Sequence, residues 1–129
     1  RSQAASEVSL EQKYGERLRE EIDLRQPDLD VNAAFGRLAG VLRRYLAAKY
    51  SLPLISATTS EVRGLMAEAG AEERVIADTL AVLESADIAK FSGAAQMRSE
   101  LERAYTILEG MLGTDTAPRG GAESAKRDD

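Results

Sequence analysis

The side chains that could perform chemistry here are carboxylates, lysines, serines, threonines and tyrosines, because the sequence contains no histidine and no cysteine. Their absence excludes disulfides, thiolate nucleophiles, zinc sites built from either residue and acid–base catalysis by histidine. Carboxylate pairs remain, such as Glu72 with Glu73 and Glu16 with Glu20. Neither pair lies in a glycine-rich or oxygen-rich ligand loop, and both fit the solvated face of a helix. We therefore predict no catalytic residue, no metal site and no cofactor, and a protein that is not an enzyme.

A basic segment interrupts an otherwise acidic chain. Residues 31–60 carry four basic side chains and no acidic one, although the net charge of the whole chain is −5. Arg37 and Arg44 are seven residues apart and share one face of a helix, with Arg43 about 100° away. Together with Lys90 they are the predicted docking surface for an acidic partner or for anionic lipid. The alternative is that these side chains pair with acidic helices of the same chain.

Apolar residues recur with the 3.6-residue period of an amphipathic helix in five segments. The last segment has the clearest period, and the first is the weakest because Gly15 interrupts it. The predicted helices lie near residues 9–22, 31–50, 58–69, 72–86 and 97–112. The connections between them have the lengths expected of a helical bundle.

Helix-capping residues support these boundaries. Ser9 with Gln12, and Thr58 with Glu61, have the spacing of a capping box, in which two side chains and two backbone N–H groups bond reciprocally. The other predicted ends are the N-cap Asp30 or Asn32 and the left-handed glycines Gly70 and Gly113.

We predict a mainly α-helical fold, a single compact bundle of four to five helices over residues 9–112, best defined over 31–112. Residues 1–8 are expected to be a flexible N-terminal segment. Residues 113–129 are expected to be a disordered tail, because apart from one proline they have no apolar side chain larger than alanine. The order of the helices also allows a winged-helix-like fold with one short strand or hairpin near 87–93, and residues 87–91 are open to either an extended strand or a last helical turn.

Three segments, taken in order, resemble the cytoplasmic domain of bacterial inner-membrane proteins of the BatD-like, aerotolerance-operon type. They are VLRRYLAAKYSLPL at 41–54, ATTSEVRGLM at 57–66 and VLESADIAKFSG at 82–93. The resemblance implies a membrane-anchored, non-enzymatic protein whose membrane span lies outside this chain, with this domain on the cytoplasmic face. It also implies a MoxR-type AAA+ ATPase or a von Willebrand factor A protein as partner.

Some residues of these segments also have a structural interpretation. Tyr45 and Leu46 belong to the apolar stripe of the second helix, and Ile88 and Phe91 are expected to anchor the chain before the last helix. Gly64 stands inside the third helix, at a cost of about 1 kcal/mol relative to alanine. Either a neighbouring helix packs closely against Gly64, or the helix boundary differs from the predicted one.

We therefore expect a non-catalytic protein–protein interaction domain on the cytoplasmic side of a bacterial membrane protein. One alternative is a structural or self-associating helical domain. Winged-helix nucleic-acid binding is less favoured, because the acidic fourth helix would repel phosphates. The chain begins with Arg1 and has no apolar run of the roughly 18 residues that a membrane span needs. We thus expect it to be a piece of a longer protein.

Overall fold

Five α-helices form the part of the chain that the computed structural model describes, residues 8–91 and 98–113. The helices are α1 Leu10–Glu21, α2 Val31–Tyr50, α3 Thr59–Glu68, α4 Glu73–Ala89 and α5 Arg98–Leu112. No strand occurs within these two ranges. The predicted mainly α-helical bundle is confirmed, and Gly15 lies buried within α1 without ending it.

The predicted capping boxes are both present. The Ser9 hydroxyl accepts a hydrogen bond from the backbone N–H of Gln12 at 3.0 Å, and the Gln12 side chain accepts one from the N–H of Ser9 at 3.2 Å. Thr58 and Glu61 bond in the same way at 3.1 and 2.9 Å. The remaining ends are the N-cap Asp30, which was one of two predicted, and Gly70 and Gly113 with φ of +82° and +72°.

The sequence allowed a short strand or hairpin near 87–93 or a last helical turn over 87–91, and the structure shows no strand where it describes that stretch. Helix α4 continues to Ala89, and the backbone N–H of Lys90 donates to the carbonyl of Ala86 as in a helix. The period could be followed only to Ala86 because alanines, rather than large side chains, carry the buried stripe onward to Ala89. Without that strand the winged-helix-like alternative loses its distinguishing feature; residues 92 and 93 lie outside the described ranges.

Two other predictions in these segments are wrong. Ile88 and Phe91 do not anchor the chain, because their side chains are 57% and 88% exposed. The buried stripe of α4 passes through Ala86 and Ala89, so Ile88 lies on the outer side. Gly64 lies within α3 as predicted, but a Cβ atom there would meet nothing within 4 Å. Neither close packing nor a shifted boundary accounts for this glycine.

Side-chain contacts show that neighbouring helices run antiparallel. Glu11 near the start of α1 bonds to Lys49 near the end of α2, and Glu21 at the end of α1 lies by Arg44 in the middle of α2. The hydroxyl of Thr59, which begins α3, donates to Asp87 in the last turn of α4 at 2.7 Å. Helix α4 packs against α2, α3 and α5, and α2 packs against α1, α4 and α5.

The core is built mainly from α2, which buries a stripe along most of its length. The largest fully buried side chains are Leu18 and Ile22 at α1, Phe35, Leu38, Leu42 and Leu46 on α2, Leu54, Met66, Ile76, Leu83, Leu101 and Leu108. Burial of apolar surface on this scale is the main source of stability in a chain without disulfides.

None of the described helices combines the length and the apolar character that crossing a membrane would require. Most of the two segments predicted to be flexible or disordered, residues 1–7 and 114–129, lies outside the described residues, as does Met97 of the predicted fifth helix. Val8, at the edge of the described chain, is 58% exposed.

Candidate functional site

The four predicted docking residues do not form one surface. Arg37 and Arg44 lie against the end of α1, where Arg37 Nε donates to the carbonyl of Glu21 at 3.0 Å. A guanidinium nitrogen of Arg44 lies 3.5 Å from a carboxylate oxygen of Glu21. These two arginines therefore hold α1 against α2, which is the internal pairing considered as the alternative above.

Arg43 and Lys90 lie elsewhere, along a groove between α2 and α4. Arg43 donates to the carbonyl of Leu54 at 2.8 Å and to that of Ala57, so it fixes the loop between α2 and α3. Buried backbone carbonyls need such partners. Lys90 is exposed, with its ammonium 4.0 Å from Asp87. Docking through the four basic residues stays a prediction. Three of them, Arg37, Arg43 and Arg44, contact another helix or loop of the same chain.

A larger concave feature, the α2–α4–α5 cleft, lies at the opposite end of α4. It is bounded by the last turns of α2, the first turns of α4 and the last turns of α5, and its volume is about 590 Å³. The floor includes Leu46, which is fully buried. The half-buried side chains of its walls are Tyr50, Val75, Ile107 and Met111. This size falls within the range of sites that bind small molecules or apolar side chains.

A charged cluster closes one side of the cleft. The Tyr45 hydroxyl donates to a carboxylate oxygen of Glu11 at 2.7 Å, and the Lys49 ammonium donates to the same oxygen at 2.8 Å. The bond from Lys49, reinforced by that from Tyr45, lowers the pKa of Glu11 below its usual value. Burial, with the bond to Glu11, raises the pKa of Tyr45 to about 12, and Glu11 raises that of Lys49.

These pKa shifts favour an ion pair over acid–base chemistry. Tyr45 and Lys49 both keep their protons far above neutral pH, so neither is poised as a base or nucleophile. Tyr14 packs against Tyr45 with ring centroids 5.9 Å apart, which further holds the cluster in place. The arrangement is suited to shaping one wall of the cleft and joining α1 to α2.

Two charged residues of α4 border the cleft without a partner of their own. Arg74 is exposed, and Asp78 follows it by one helical turn. Neither side chain has a hydrogen bond or an ion pair with any residue that the structure describes. An apolar floor beside an unpaired cation and an unpaired anion can bind an amphipathic segment and orient it.

The α2–α4 groove is smaller and of a different character. Its α2 wall includes Gly36, Ala39 and Gly40, its α4 wall includes Leu83 and Ala86, and its volume is about 280 Å³. The exposed side chains of Ile88 and Phe91 are at the same end of α4 but are not part of the groove lining. Within residues 8–91 and 98–113, no three acidic side chains come together as a possible metal site.

The sequence did not reveal most of these residues as site residues. Glu11 is more than thirty positions from its partners on α2, so no local pattern joins it to them. Phe91 had a usable signal, because continuing the helical period through Ala86 and Ala89 places Phe91 on the outer side. Arg74 could be predicted to be exposed, but not to lie beside a cleft that three helices form.

Comparison with known proteins identifies no relative: no family model, no curated protein and no solved structure matches this chain. The resemblance to BatD-like proteins therefore stays a prediction.

Proposed function

We propose that this chain is a non-catalytic protein–protein interaction domain that binds an apolar helical segment of a partner protein in the α2–α4–α5 cleft. The observation that carries the proposal is the cleft itself, a concavity of about 590 Å³ with a buried floor at Leu46. Its half-buried walls are not covered by any described helix or loop. Open concavities that combine apolar side chains with a few polar and charged groups are typical of binding sites.

The shape and lining of the cleft favour a helix as the bound segment. Its long sides are helices, and its walls present Tyr50, Ile107 and Met111 between them. An amphipathic helix fits such a groove by placing apolar side chains at every third or fourth residue into it. Tyrosine and methionine are also enriched at protein interfaces, because a tyrosine offers a large rigid contact and a methionine adapts its shape.

The charges at the cleft specify the segment further. Arg74 has no partner among the residues that the structure describes, so an acidic side chain beside the apolar anchors would form a new ion pair with it. Asp78, one helical turn away, would repel a second acidic side chain of the bound helix that lies opposite it. We therefore expect a bound helix with one acidic side chain facing Arg74 and no acidic side chain opposite Asp78.

The biological setting of the proposal follows the resemblance. The domain would lie on the cytoplasmic side of a bacterial inner-membrane protein, and its partner would be a MoxR-type AAA+ ATPase or a von Willebrand factor A protein. In this proposal Arg37, Arg43 and Arg44 stabilise the fold, because each already contacts another element. Of the four predicted basic residues, Lys90 is the one that remains suited to a partner contact.

Binding can be measured by interferometry with a purified MoxR-type ATPase and a purified von Willebrand factor A protein. We expect one of them to bind the natural chain, and Arg74→Glu to weaken that binding about 10-fold by repelling the acidic side chain. Gly110→Leu, which adds a side chain to the cleft lining, should weaken binding further while favouring helix α5.

The matched control is Arg63→Glu on α3, an equally exposed arginine that does not line the cleft. It makes the same change in net charge and should leave the affinity unchanged. Equal losses for Arg63→Glu and Arg74→Glu would remove the cleft as the site. If neither purified protein binds the natural chain, the proposed partner class is wrong.

A further inference from the structure

The C-terminal end of α4 carries a large aromatic side chain that packs against almost nothing. Phe91 is 88% exposed, and Ile88, three residues before it, is 57% exposed. Both lie in or just after the last turn of α4, on the same side of the helix. Burying these two neighbouring apolar side chains against a partner would be favourable, because it removes apolar surface from water. Neighbouring exposed apolar side chains of this kind are typical of contact surfaces.

The α2–α4 groove lies along the same end of α4. Its α2 lining has two glycines and one alanine between Asn32 and Arg43, and a Cβ atom built at Gly36 meets nothing within 4 Å. The groove is therefore open above Gly36, where no described residue closes onto it. Its volume of about 280 Å³ exceeds the roughly 150 Å³ of an apolar cavity that binds benzene. One phenyl ring can therefore enter it.

The charges around the groove are complementary to those of the same surface on a second copy of the chain. Asp87 and Lys90 both line it, and Arg43 lies at one end with its guanidinium bound to two backbone carbonyls. The Asp87 carboxylate accepts a hydrogen bond from Thr59 and is 4.0 Å from the Lys90 ammonium. A surface with both signs of charge is complementary to its own copy after a two-fold rotation, because each lysine can then face the other copy's aspartate.

We propose that a second copy of this chain occupies the groove, with Phe91 of each copy inserted between α2 and α4 of the other. Each chain carries both the projecting ring and the groove that accepts it. A two-fold dimer therefore makes the same contact, Phe91 of one copy in the groove of the other, twice. This contact leaves the α2–α4–α5 cleft open and does not depend on the proposed function. An unrelated partner protein in the groove is the competing occupant, and the experiment separates the two.

Sedimentation equilibrium of the full chain, from micromolar concentrations to about 1 mM, tests the proposal. We expect a reversible monomer–dimer equilibrium. Phe91→Ser should weaken the dimer at least about 10-fold, because a central aromatic anchor is lost. Gly36→Leu should weaken it similarly by filling the groove, although leucine favours the helix at this open position.

The matched control is Gly64→Leu, which makes the same change at another helical glycine with open space around it. It should leave the dimer unchanged. Mixing the two interface variants gives a further test, since Phe91→Ser retains its groove and Gly36→Leu retains its phenylalanine. Each alone should be a monomer at concentrations where the mixture shows some heterodimer through the one intact contact.

Three outcomes would overturn the proposal. If the natural chain stays monomeric up to about 1 mM, a second copy does not occupy the groove, and the occupant would be another protein. A dimer that survives Phe91→Ser unchanged forms through a different surface. Equal losses for Gly36→Leu and Gly64→Leu, or no heterodimer in the mixture, show that the ring of one copy does not enter the groove of the other.

Discussion

The two ends of α4 offer contrasting surfaces although they belong to one helix. At its first turns, Arg74 and Val75 line a wide cleft together with large side chains of α2 and α5. At its last turns, Leu83 and Ala86 line a narrow groove, and Phe91 projects into solvent beside it. The first end thus has a concavity bordered by the Glu11–Lys49 ion pair and by Arg74 and Asp78, and the other end has both a projecting ring and a groove.

The difference arises on the neighbouring helix, α2. Toward its C-terminus α2 presents Tyr45, Leu46 and Tyr50, and toward its N-terminus it presents Gly36 and Gly40. Large side chains on a helix form the walls and floor of a cleft, whereas glycines leave a groove that reaches the helix backbone. The side-chain sizes along α2 therefore decide what each end of α4 can bind.

The largest stability effect should come from the floor of the cleft. Leu46 is fully buried, so Leu46→Ala should lower the free energy of unfolding by about 3 kcal/mol through lost apolar contact and the cavity left behind. Urea unfolding followed by far-UV circular dichroism measures this. A loss below about 1 kcal/mol would show that the side chains at the cleft are loosely packed. The two ends of α4 would then not differ as described above.

An intermediate effect should come from the ion pair beside the cleft. Glu11→Gln should lower the free energy of unfolding by about 1 kcal/mol at neutral pH, because Lys49 and Tyr45 lose their charged acceptor. The folded chain lowers the pKa of Glu11 below 4.5, so the unfolded chain binds the proton first as the pH falls. Stability from this group is therefore present above pH 4.5 and is lost below it.

Urea unfolding of the natural chain and of Glu11→Gln, compared from pH 7 down to pH 3, measures this contribution. The difference between them should be constant above the ordinary pKa of a glutamate and shrink below it. A difference that does not change over this range would mean that Glu11 contributes through packing and not through its charge. Glu16→Gln, an exposed change on the same helix, is the matched control.

The smallest effect should come from the other end of α4. Phe91→Ser should change the free energy of unfolding of the monomer by less than about 0.5 kcal/mol, because the side chain is 88% exposed. Measurement at low micromolar concentration keeps self-association out of the result. A loss of 2 kcal/mol or more would mean that Phe91 packs within its own chain. This end of α4 would then have no projecting ring to offer a partner.

Much of the fold was predictable because its signals are local. The apolar period identified all five helices, and the capping residues Ser9, Thr58 and Asp30 set the start of three of them. Each signal involves residues within one or two helical turns, so it can be recognised without knowledge of the fold. The end of α4 was missed because alanines carry its last buried turn, and alanine is a weak marker of an apolar face.

The candidate site was much less predictable, since it depends on which elements meet. For Arg37 and Arg44 the sequence left open a docking role or pairing within the chain, and both contact Glu21, at the end of another helix. Arg43 contacts the carbonyls of a loop that lies about a dozen residues further along the chain. The basic character of α2 could be recognised from the sequence, but the groups that bind its side chains could not.

The sequence by itself determined the helices of this protein, their caps and the exclusion of cysteine and histidine chemistry, because these depend on residue type and spacing of a few positions. The tertiary structure alone decided that Glu11 joins Tyr45 and Lys49, and that three helices leave a cleft beside Arg74. It also decided that Phe91 stands outside the core. Contacts between distant residues follow from how helices pack, and packing is set by the whole core together.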